Sequence, residues 1–354
     1  MITRRSTPTV RVGSLSLGSS HPIAIQSMTN TDTENIDATL LQARRLEEAG
    51  CDIIRLAVPN IAAADTLRQL KARGIKAPLV ADIHFDYRIA LAALSAGVDK
   101  IRLNPGNIAD KDGIRAVVRE AKSRAVPIRI GVNAGSLEPQ LLSRYGAPTP
   151  EALVESALSH IAILEALDFS DILVSIKASS VKNTILANRL LASRIPYPIH
   201  LGMTEAGGGE SALIKSSVGI GALLAEGIGD TVRVSLTDDP IEEIAAARSI
   251  LSSLDLADGG MDIISCPTCG RTRIDLISLY REFRARARAE GLERKNIRVA
   301  LMGCAVNGPG EAREADIGIA GGDGVGLLFK KGEIIRKLPE SALIDALIDE
   351  IKKM

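Results

Sequence analysis

The sequence predicts an α/β protein, a (β/α)8 TIM barrel followed by a small α+β domain. Two observations support this prediction. Residues 20–235 alternate short β-branched runs with amphipathic helical patterns, and the alternation ends at a Gly/Asp-rich segment, residues 255–262. After that segment the order of the elements changes, which indicates a second unit of different architecture.

Eight strand-like runs define the barrel segment. They are residues 22–28, 51–58, 77–85, 99–106, 127–135, 170–179, 197–207 and 230–237. Helical patterns separate them, for example over residues 36–50 and 150–167. Eight consecutive βα units in a segment of this length are typical of a closed barrel rather than of an open sheet.

Two further elements flank the barrel strands. The alternating segment VRVGSLSLG, residues 10–18, has the pattern of a hairpin that could close the bottom of the barrel. The helical pattern of residues 240–251 is predicted to cover the end of the barrel. With these elements included, the barrel domain is predicted to span residues 1–255.

The second domain is predicted to span residues 263–354. It contains a strand, a Cys loop, a helix, a second strand, a second Cys loop, further strands and a final helix. The segment KKGE, residues 330–333, separates two of the late strands and has the composition of a hairpin turn.

Composition excludes several classes of function. The chain has 354 residues with 43 Lys and Arg and 43 Asp and Glu, so a general nucleic-acid-binding surface is not expected. Aromatic residues make up only 2%, which argues against a base-stacking platform. No apolar run is long enough to span a membrane. Four Cys do not form a disulfide framework, and a cytoplasmic protein is predicted.

Cationic and polar residues lie at the predicted strand ends, where barrel enzymes place their active sites. Five strands each supply one cation, and a polyanionic ligand with phosphate groups would offset these charges. For any single Arg, pairing with a neighbouring carboxylate explains the residue equally well. The five cations are Arg55, Arg102, Arg129, Lys177 and Arg233.

Glu205 opens the Gly-rich segment EAGGGES at the end of the seventh run. A carboxyl group at this position could act as an acid, or it could only favour the N-terminus of the following helix. His200 lies in the same run. It could contribute to a site at the barrel mouth, or it could be a hydrogen-bonded structural residue of the barrel.

Three Cys have the spacing of metal ligands. Cys266 and Cys269 form a Cys-x-x-Cys pair, Cys304 lies in a second Gly/Pro loop, and no Cys or His follows it. A structural zinc site normally has four Cys or His ligands, whereas an iron–sulfur cluster that meets substrate tolerates an oxygen ligand. Glu311 is a candidate for that ligand, although it could also be an ordinary loop residue. Cys51 starts a strand and is predicted to be a buried apolar residue.

The motifs CPTCGR, MGCAVNGPGE, KIRLNPGN, GVNAGSL and HLGMTEAG together closely resemble the 4-hydroxy-3-methylbut-2-enyl diphosphate synthases of the methylerythritol phosphate pathway. The resemblance covers essentially the whole chain. It implies reductive dehydration and ring opening of 2-C-methyl-D-erythritol 2,4-cyclodiphosphate to 4-hydroxy-3-methylbut-2-enyl diphosphate. It also implies a [4Fe–4S] cluster, reduced flavodoxin or ferredoxin as electron donor, and a head-to-tail homodimer with shared active sites.

The resemblance assigns roles to individual residues. The cluster ligands correspond to Cys266, Cys269, Cys304 and Glu311, and Glu205 corresponds to the acidic residue thought to handle protons. The substrate-binding residues correspond to Arg55, Arg102, Asn104, Arg129, Asn133, Lys177, His200, Thr204 and Ser235.

Two other functions are compatible with parts of this pattern. One is a Schiff-base aldolase-type barrel with Lys177 as nucleophile and a structural zinc in the C-terminal domain. The other is a metal sensor or iron–sulfur carrier that uses only the C-terminal domain, which leaves the five barrel cations unexplained.

Overall fold

The computed structural model describes residues 2–84, 86–257, 260–304, 313–322 and 325–354. The chain divides into two compact units, Met1–Ala257 and Asp258–Met354. Each unit has its own apolar core.

The first unit contains a parallel barrel of eight strands, which confirms the predicted fold class. The strand order is β8-β7-β6-β5-β4-β3-β10-β9, and a parallel bridge between Val174 and Ile199 joins the two outer strands. Each predicted run contains one strand. The strands are β3 Ala24–Met28, β4 Ile53–Ala57, β5 Leu79–Asp82, β6 Lys100–Arg102, β7 Ile128–Asn133, β8 Ile172–Lys177, β9 His200–Gly202 and β10 Thr231–Arg233.

Nine α-helices occur in the described part of this unit. Seven begin after an Asn, Asp, Ser or Thr whose side chain accepts a hydrogen bond from a first-turn N–H group. The helices are α1 Ile36–Glu48, α2 Ile61–Ala72, α3 Tyr87–Ser95, α4 Lys111–Ser123, α5 Pro139–Tyr145, α6 Pro150–Glu165, α7 Val181–Ala192, α8 Gly209–Ala225 and α9 Pro240–Ser252. No helix among the described residues is both long and apolar enough to cross a bilayer.

The helix α9 does not cover the end of the barrel, and that prediction is wrong. The helix packs against β3 and β10 and lies between α1 and α8. Its buried residues include Ile244, Ala247 and Leu251, so its apolar stripe faces the strands. It is the helix that follows the last barrel strand and completes the outer ring.

A hairpin closes the bottom of the barrel, as predicted. It consists of β1 Val10–Val12 and β2 Leu15–Leu17, paired antiparallel. Its apolar side chains form one buried cluster with residues from four barrel strands: Ala24, Ile53, Val80 and Leu173. This end of the barrel interior is therefore filled with apolar side chains.

The second unit contains a five-stranded sheet in the order β11-β12-β13-β14-β15. The first three strands are parallel and the last two pairings are antiparallel. Lys331 and Gly332 join the last two strands with φ of 49° and 81°, as a type I′ turn requires, so the predicted hairpin turn is confirmed. The elements are β11 Asp262–Ser265, α10 Leu276–Ala289, β12 Arg298–Met302, β13 Ile317–Gly321, β14 Gly326–Lys330, β15 Glu333–Leu338 and α11 Leu343–Lys352.

Candidate active site

A polar cavity opens at the carboxyl ends of the barrel strands. Seven of the ten predicted barrel residues line it: Arg55, Arg102, Arg129, Asn133, Lys177, Thr204 and Ser235. Six residues outside that set also line it: Asp82, His84, Gly131, Ser175, Met203 and Arg233. Among these six, Asp82, His84 and Arg233 lie at the ends of predicted strand runs, and Arg233 is one of the five strand-end cations.

The period of two along each strand explains how the cavity is assembled. Residues two apart on a strand face the same side, so Ser175 and Lys177 both face the interior, as do Arg129 and Gly131. Ser175 was not predicted as a site residue, although its position two residues before Lys177 is the signal that could have revealed it.

Asp82 pairs with two of the cations. Its carboxylate lies 3.3 Å from Arg55 Nη2 and 3.4 Å from Arg102 Nη1. Burial by itself raises the pKa of Asp82, but the charge of Arg55, a hydrogen bond from His84 and the charge of Arg102 outweigh it. The net pKa is well below the usual range, so this carboxylate remains charged.

Glu243 on α9, one of the helices around the barrel, fixes the position of the Arg233 side chain. Arg233 Nε and Nη2 donate to Glu243 at 3.1 and 3.0 Å. Ser27 Oγ donates to the same carboxylate at 2.8 Å, and so does Leu236 N at 3.2 Å. Glu243 is 2% exposed, and these four hydrogen bonds explain how its charge is accommodated.

Among the residues that the structure describes, no carboxylate pairs with Arg129 or Lys177 in this way. Arg129 is 1% exposed, and its Nε and Nη1 have no hydrogen-bond partner among the described residues. Burial, then the charges of neighbouring arginines, lowers the pKa of Arg129 well below its usual range. Burial, followed by Arg233, Arg129 and Arg55, does the same for Lys177. Bringing these cations together costs free energy that a bound anion would recover.

The cavity therefore carries an excess of positive charge. Five cationic side chains line it, against one carboxylate, Asp82, with Glu243 adding a second behind Arg233. Gly202 makes room for one of the cations, because a Cβ at that position would lie 2.7 Å from Lys177 Nζ. Such a site can hold a ligand with two or more phosphate charges through several donors.

Three predicted residues lie outside the cavity lining: Asn104, His200 and Glu205. The side chain of Asn104 forms two hydrogen bonds with the backbone of Gly131, from Nδ2 to O at 3.0 Å and from N to Oδ1 at 2.9 Å. His200 is fully buried, and its Nδ1 lies 2.7 Å from Thr231 Oγ1. Burial, followed by the charge of Arg129, lowers the pKa of His200 well below its usual range. The side chains of Asn104 and His200 therefore support the walls of the cavity from behind.

Glu205 lies at the rim of the barrel. Its side chain is exposed, and Oε1 would be 3.8 Å from a Cβ placed on Gly135, in the loop that follows β7. Its φ is 54°, a left-handed conformation that a side chain with a Cβ adopts at a cost. Strain of this kind is often found at functional positions. The adjacent helix α8 begins after Gly208, which provides no side-chain cap.

In the second unit, Cys266 and Cys304 follow two neighbouring parallel strands. Ser265 pairs with Leu301, so both Cys lie at the same edge of the sheet. Gly303 N donates to Cys266 Sγ at 3.2 Å, a type of contact that tunes the sulfur ligands of iron–sulfur clusters. Arg271 joins the third Cys to this edge, because it hydrogen-bonds Cys269 and its charge also interacts with Cys304.

The donor set is consistent with a cluster. Hydrogen bonds from the backbone and then the side chain of Arg271 lower the pKa of Cys269, which favours the thiolate that binds metal. Among the described residues, no group of three His, Cys, Asp or Glu is arranged to hold a single ion. Thiolates are the ligands that proteins supply to iron–sulfur clusters, and the three Cys at this sheet edge are of that type. Glu311, the predicted fourth ligand, lies outside the described residues.

Cys51 is separate from this set. It is 6% exposed in the barrel unit, and its thiol donates to Ile53 O at 3.1 Å. Burial is the main cause that raises the pKa of Cys51 to about 12. The thiol of Cys51 is therefore expected to be unreactive.

Comparison with known proteins covers nearly the whole chain. Residues 7–248 match the GcpE TIM-barrel domain, and residues 262–353 match the GcpE protein C-terminal domain. A protein of Ruminiclostridium cellulolyticum is 56% identical over 100% of this chain and 99% of its own length. A protein of Geobacillus thermodenitrificans is 56% identical over 100% of this chain and 94% of its own. One of Fusobacterium nucleatum is 53% identical over 99% of this chain and 97% of its own.

All three relatives are named 4-hydroxy-3-methylbut-2-en-1-yl diphosphate synthase (flavodoxin). Both parts of the chain match domains of the same family. The resemblance seen in the sequence motifs is thereby confirmed: the chain belongs to the GcpE family.

Proposed function

We propose that this chain is a 4-hydroxy-3-methylbut-2-en-1-yl diphosphate synthase. The observation that supports this most strongly is the cavity with five cations, in a chain that also carries three Cys at one sheet edge. The substrate is 2-C-methyl-D-erythritol 2,4-cyclodiphosphate. Two electrons and two protons convert it to the open-chain diphosphate and one water.

The barrel binds the cyclic diphosphate. The arginines Arg55, Arg102 and Arg129 offer forked donors to phosphate oxygens, and Lys177 supplies a compact charge. Asn133, Thr204 and Ser235 line the same cavity and donate hydrogen bonds to the ligand. Asn104 and His200 act indirectly, by fixing the backbone of β7 and the interior of β9 and β10.

The C-terminal unit holds a [4Fe–4S] cluster. Cys266, Cys269 and Cys304 are its thiolate ligands, and Glu311 is the fourth ligand. When bound, the cluster supplies single electrons to the substrate. The chain controls that site through its own groups, since Gly303 N–H and Arg271 donate to the sulfur atoms.

Glu205 supplies the proton with which the departing hydroxyl group leaves as water. Its exposed carboxyl group lies at the barrel rim, next to Thr204 of the cavity lining, and its backbone adopts a strained left-handed conformation. The electron donor is flavodoxin, the donor in the names of the relatives. The active enzyme is a head-to-tail homodimer in which the cluster unit of one subunit faces the barrel of the other.

The activity is tested with anaerobically prepared protein, the cyclic diphosphate and reduced flavodoxin. We expect open-chain diphosphate as product and about one [4Fe–4S] cluster per chain by iron, sulfide and EPR measurement. Replacing Cys266, Cys269 or Cys304 by Ser should abolish the cluster and the activity. Stoichiometric zinc without iron, or borohydride trapping of Lys177 on a carbonyl substrate, would instead support the aldolase interpretation, which the names of the relatives do not support.

The dimer is tested by subunit complementation. Glu205→Gln lacks the proton donor and Cys304→Ser lacks the cluster, so each variant alone should be nearly inactive. Mixing them under conditions where subunit exchange is shown should restore part of the activity, since some heterodimers pair an intact barrel with an intact cluster. A mixture that exchanges subunits but stays inactive would mean that each chain builds its own site.

A further inference from the structure

Lys100 carries a buried amine to which the proposed mechanism assigns no role. It lies on β6 and is 0% exposed. Its Nζ has no hydrogen-bond partner among the described residues. An ammonium group buried without a partner is among the most costly arrangements in a protein interior. Its presence inside the barrel therefore calls for a physical reason.

The position of Lys100 places it directly below the cavity. Arg102 follows it by two residues and lines the cavity, so both side chains face the barrel interior. On β5, Val80 pairs with Lys100 and belongs to the apolar cluster at the barrel bottom. Lys100 thus lies at the boundary between the apolar bottom layer and the cationic cavity.

The charges that act on this amine are positive. They are those of Arg129 on β7 and Arg55 on β4, and the amine in turn acts on His200 of β9. Burial, followed by Arg129 and Arg55, lowers the pKa of Lys100 well below its usual range. Lys100 therefore gives up its proton more readily than an exposed lysine while the cavity contains no anion.

A bound diphosphate changes this balance. Arg129 has unpartnered Nε and Nη1 atoms and lines the cavity, and Arg55 lines it as well. Phosphate charges on these two guanidinium groups would offset the two charges that disfavour an ammonium group at position 100. The low dielectric of the interior makes this electrostatic change large.

We propose that Lys100 is a further residue of the substrate site, a buried amine that takes up one proton from solvent when the cyclic diphosphate binds above it. The inference rests on the proposed function. No covalent bond of the substrate changes in this step. The resulting ammonium group adds a positive charge beneath Arg129, so the affinity for the anion depends on pH.

The proton uptake can be measured by titration calorimetry. The oxidised holoenzyme is titrated anaerobically with the cyclic diphosphate and without reductant, so that binding occurs without turnover. Each phosphate of this ligand keeps only a strongly acidic oxygen, so the ligand itself does not titrate near neutral pH. Repeating the titration in buffers of different ionisation enthalpy gives the number of protons taken up, which we expect to approach one.

The pH dependence follows from the direction of the shift. In the range where the free amine is neutral and the bound amine is charged, the dissociation constant should rise about tenfold per pH unit. Lys100→Met should bind more weakly, take up no proton and lose this pH dependence. Lys122→Met is the matched control, because Lys122 is an exposed lysine that pairs with Asp168. It should bind and take up protons as the wild type does.

Several outcomes would overturn the inference. Wild-type binding without proton uptake would show that Lys100 does not titrate, while the cation-lined cavity would remain a substrate site. Uptake that survives in Lys100→Met would assign the proton to another buried group of the barrel, His200 or Lys177, whose pKa values are lowered by the same causes. No binding at all would remove the proposed function and this inference with it. Lys100→Gln serves as a second variant if Lys100→Met does not fold, and the wild-type measurement requires no variant.

Discussion

The guanidinium group of Arg102 lies directly against the backbone of Gly131. Arg102 Nη2 donates to Gly131 O at 2.6 Å, and a Cβ on Gly131 would lie 2.6 Å from Arg102 Nε. Since Arg102 is 6% exposed and also pairs with Asp82, it has little space into which to move. The absence of a side chain at position 131 therefore leaves the space that the guanidinium group of Arg102 occupies.

We accordingly expect Gly131→Ala to weaken substrate binding by displacing Arg102. The loss of one charged hydrogen bond corresponds to about 1.5–3 kcal/mol, or roughly 10–150-fold in affinity. Calorimetric titration measures the affinity, and the EPR spectrum of the cluster should not change. Gly221→Ala is the matched control, because a Cβ on that helical glycine has open space around it. Equal affinities of the two variants would contradict the steric argument.

Asp82 should make the free energy of unfolding depend on pH in the acid range. Its pKa in the folded protein is depressed, so its stabilising contribution is complete above the unfolded-state pKa of about 4 and is lost as the pH falls below that value. Asp82→Asn leaves Arg55 and Arg102 unpaired, which should cost about 3–5 kcal/mol near neutral pH and remove this part of the acid dependence.

The free energy of unfolding, measured with urea at several pH values between about 3 and 7, checks this prediction. Asp168→Asn is the control, since this exposed carboxylate pairs with Lys122 outside the barrel, and its unfolding should follow that of the wild type. If Asp82→Asn kept the full acid dependence, other carboxylates would be responsible for it.

Cys51 should be inert where the other three Cys react. Burial raises its pKa to about 12, so very little thiolate exists at pH 8. In cluster-free protein, iodoacetamide should modify Cys269 first, because that side chain is exposed, and should leave Cys51 unmodified until unfolding. Mass spectrometry of peptides locates the modification. Cys51→Ser should keep the cluster, and its loss in that variant would place Cys51 among the ligands.

Glu205 should show a conflict between stability and turnover. Glu205→Gly relieves the left-handed conformation and should raise the free energy of unfolding by up to about 1 kcal/mol. It also removes the proposed proton donor, so turnover should fall about 10²–10⁴-fold, and Glu205→Gln should show the same fall without the gain in stability. The cluster spectrum should be unchanged in both variants.

Ala125 provides the control for this pair. It has φ of 52° and is exposed, in the turn between α4 and β7. Ala125→Gly should gain similar stability and keep full turnover. If Glu205→Gly kept wild-type turnover, the carboxyl group would not be the proton donor.

The barrel was predictable because its signals are local. Each strand-like run contains one strand, and the alternation of residues along β6, β7 and β8 determines which side chains face the interior. The same period of two brought Arg102, Arg129 and Lys177 to one cavity. Local signals also gave the Lys331–Gly332 turn, since both positions need positive φ.

Other features could not be predicted because they depend on which elements become neighbours once the barrel closes. The sequence predicted a helix at residues 240–251, but only the packing placed it in the outer ring, where Glu243 holds Arg233. Asn104 was predicted at the mouth, but its two hydrogen bonds are with the neighbouring strand.

The sequence by itself determined the fold class, the family and the residue types available for chemistry, because periodicity and motif spacing are properties of short segments. Only the tertiary structure decided which charges are paired. Asp82 partners Arg55 and Arg102, whereas Lys100 has no carboxylate within reach among the described residues. Burial and electrostatic pairing depend on barrel closure, which brings together strands that are far apart in the chain.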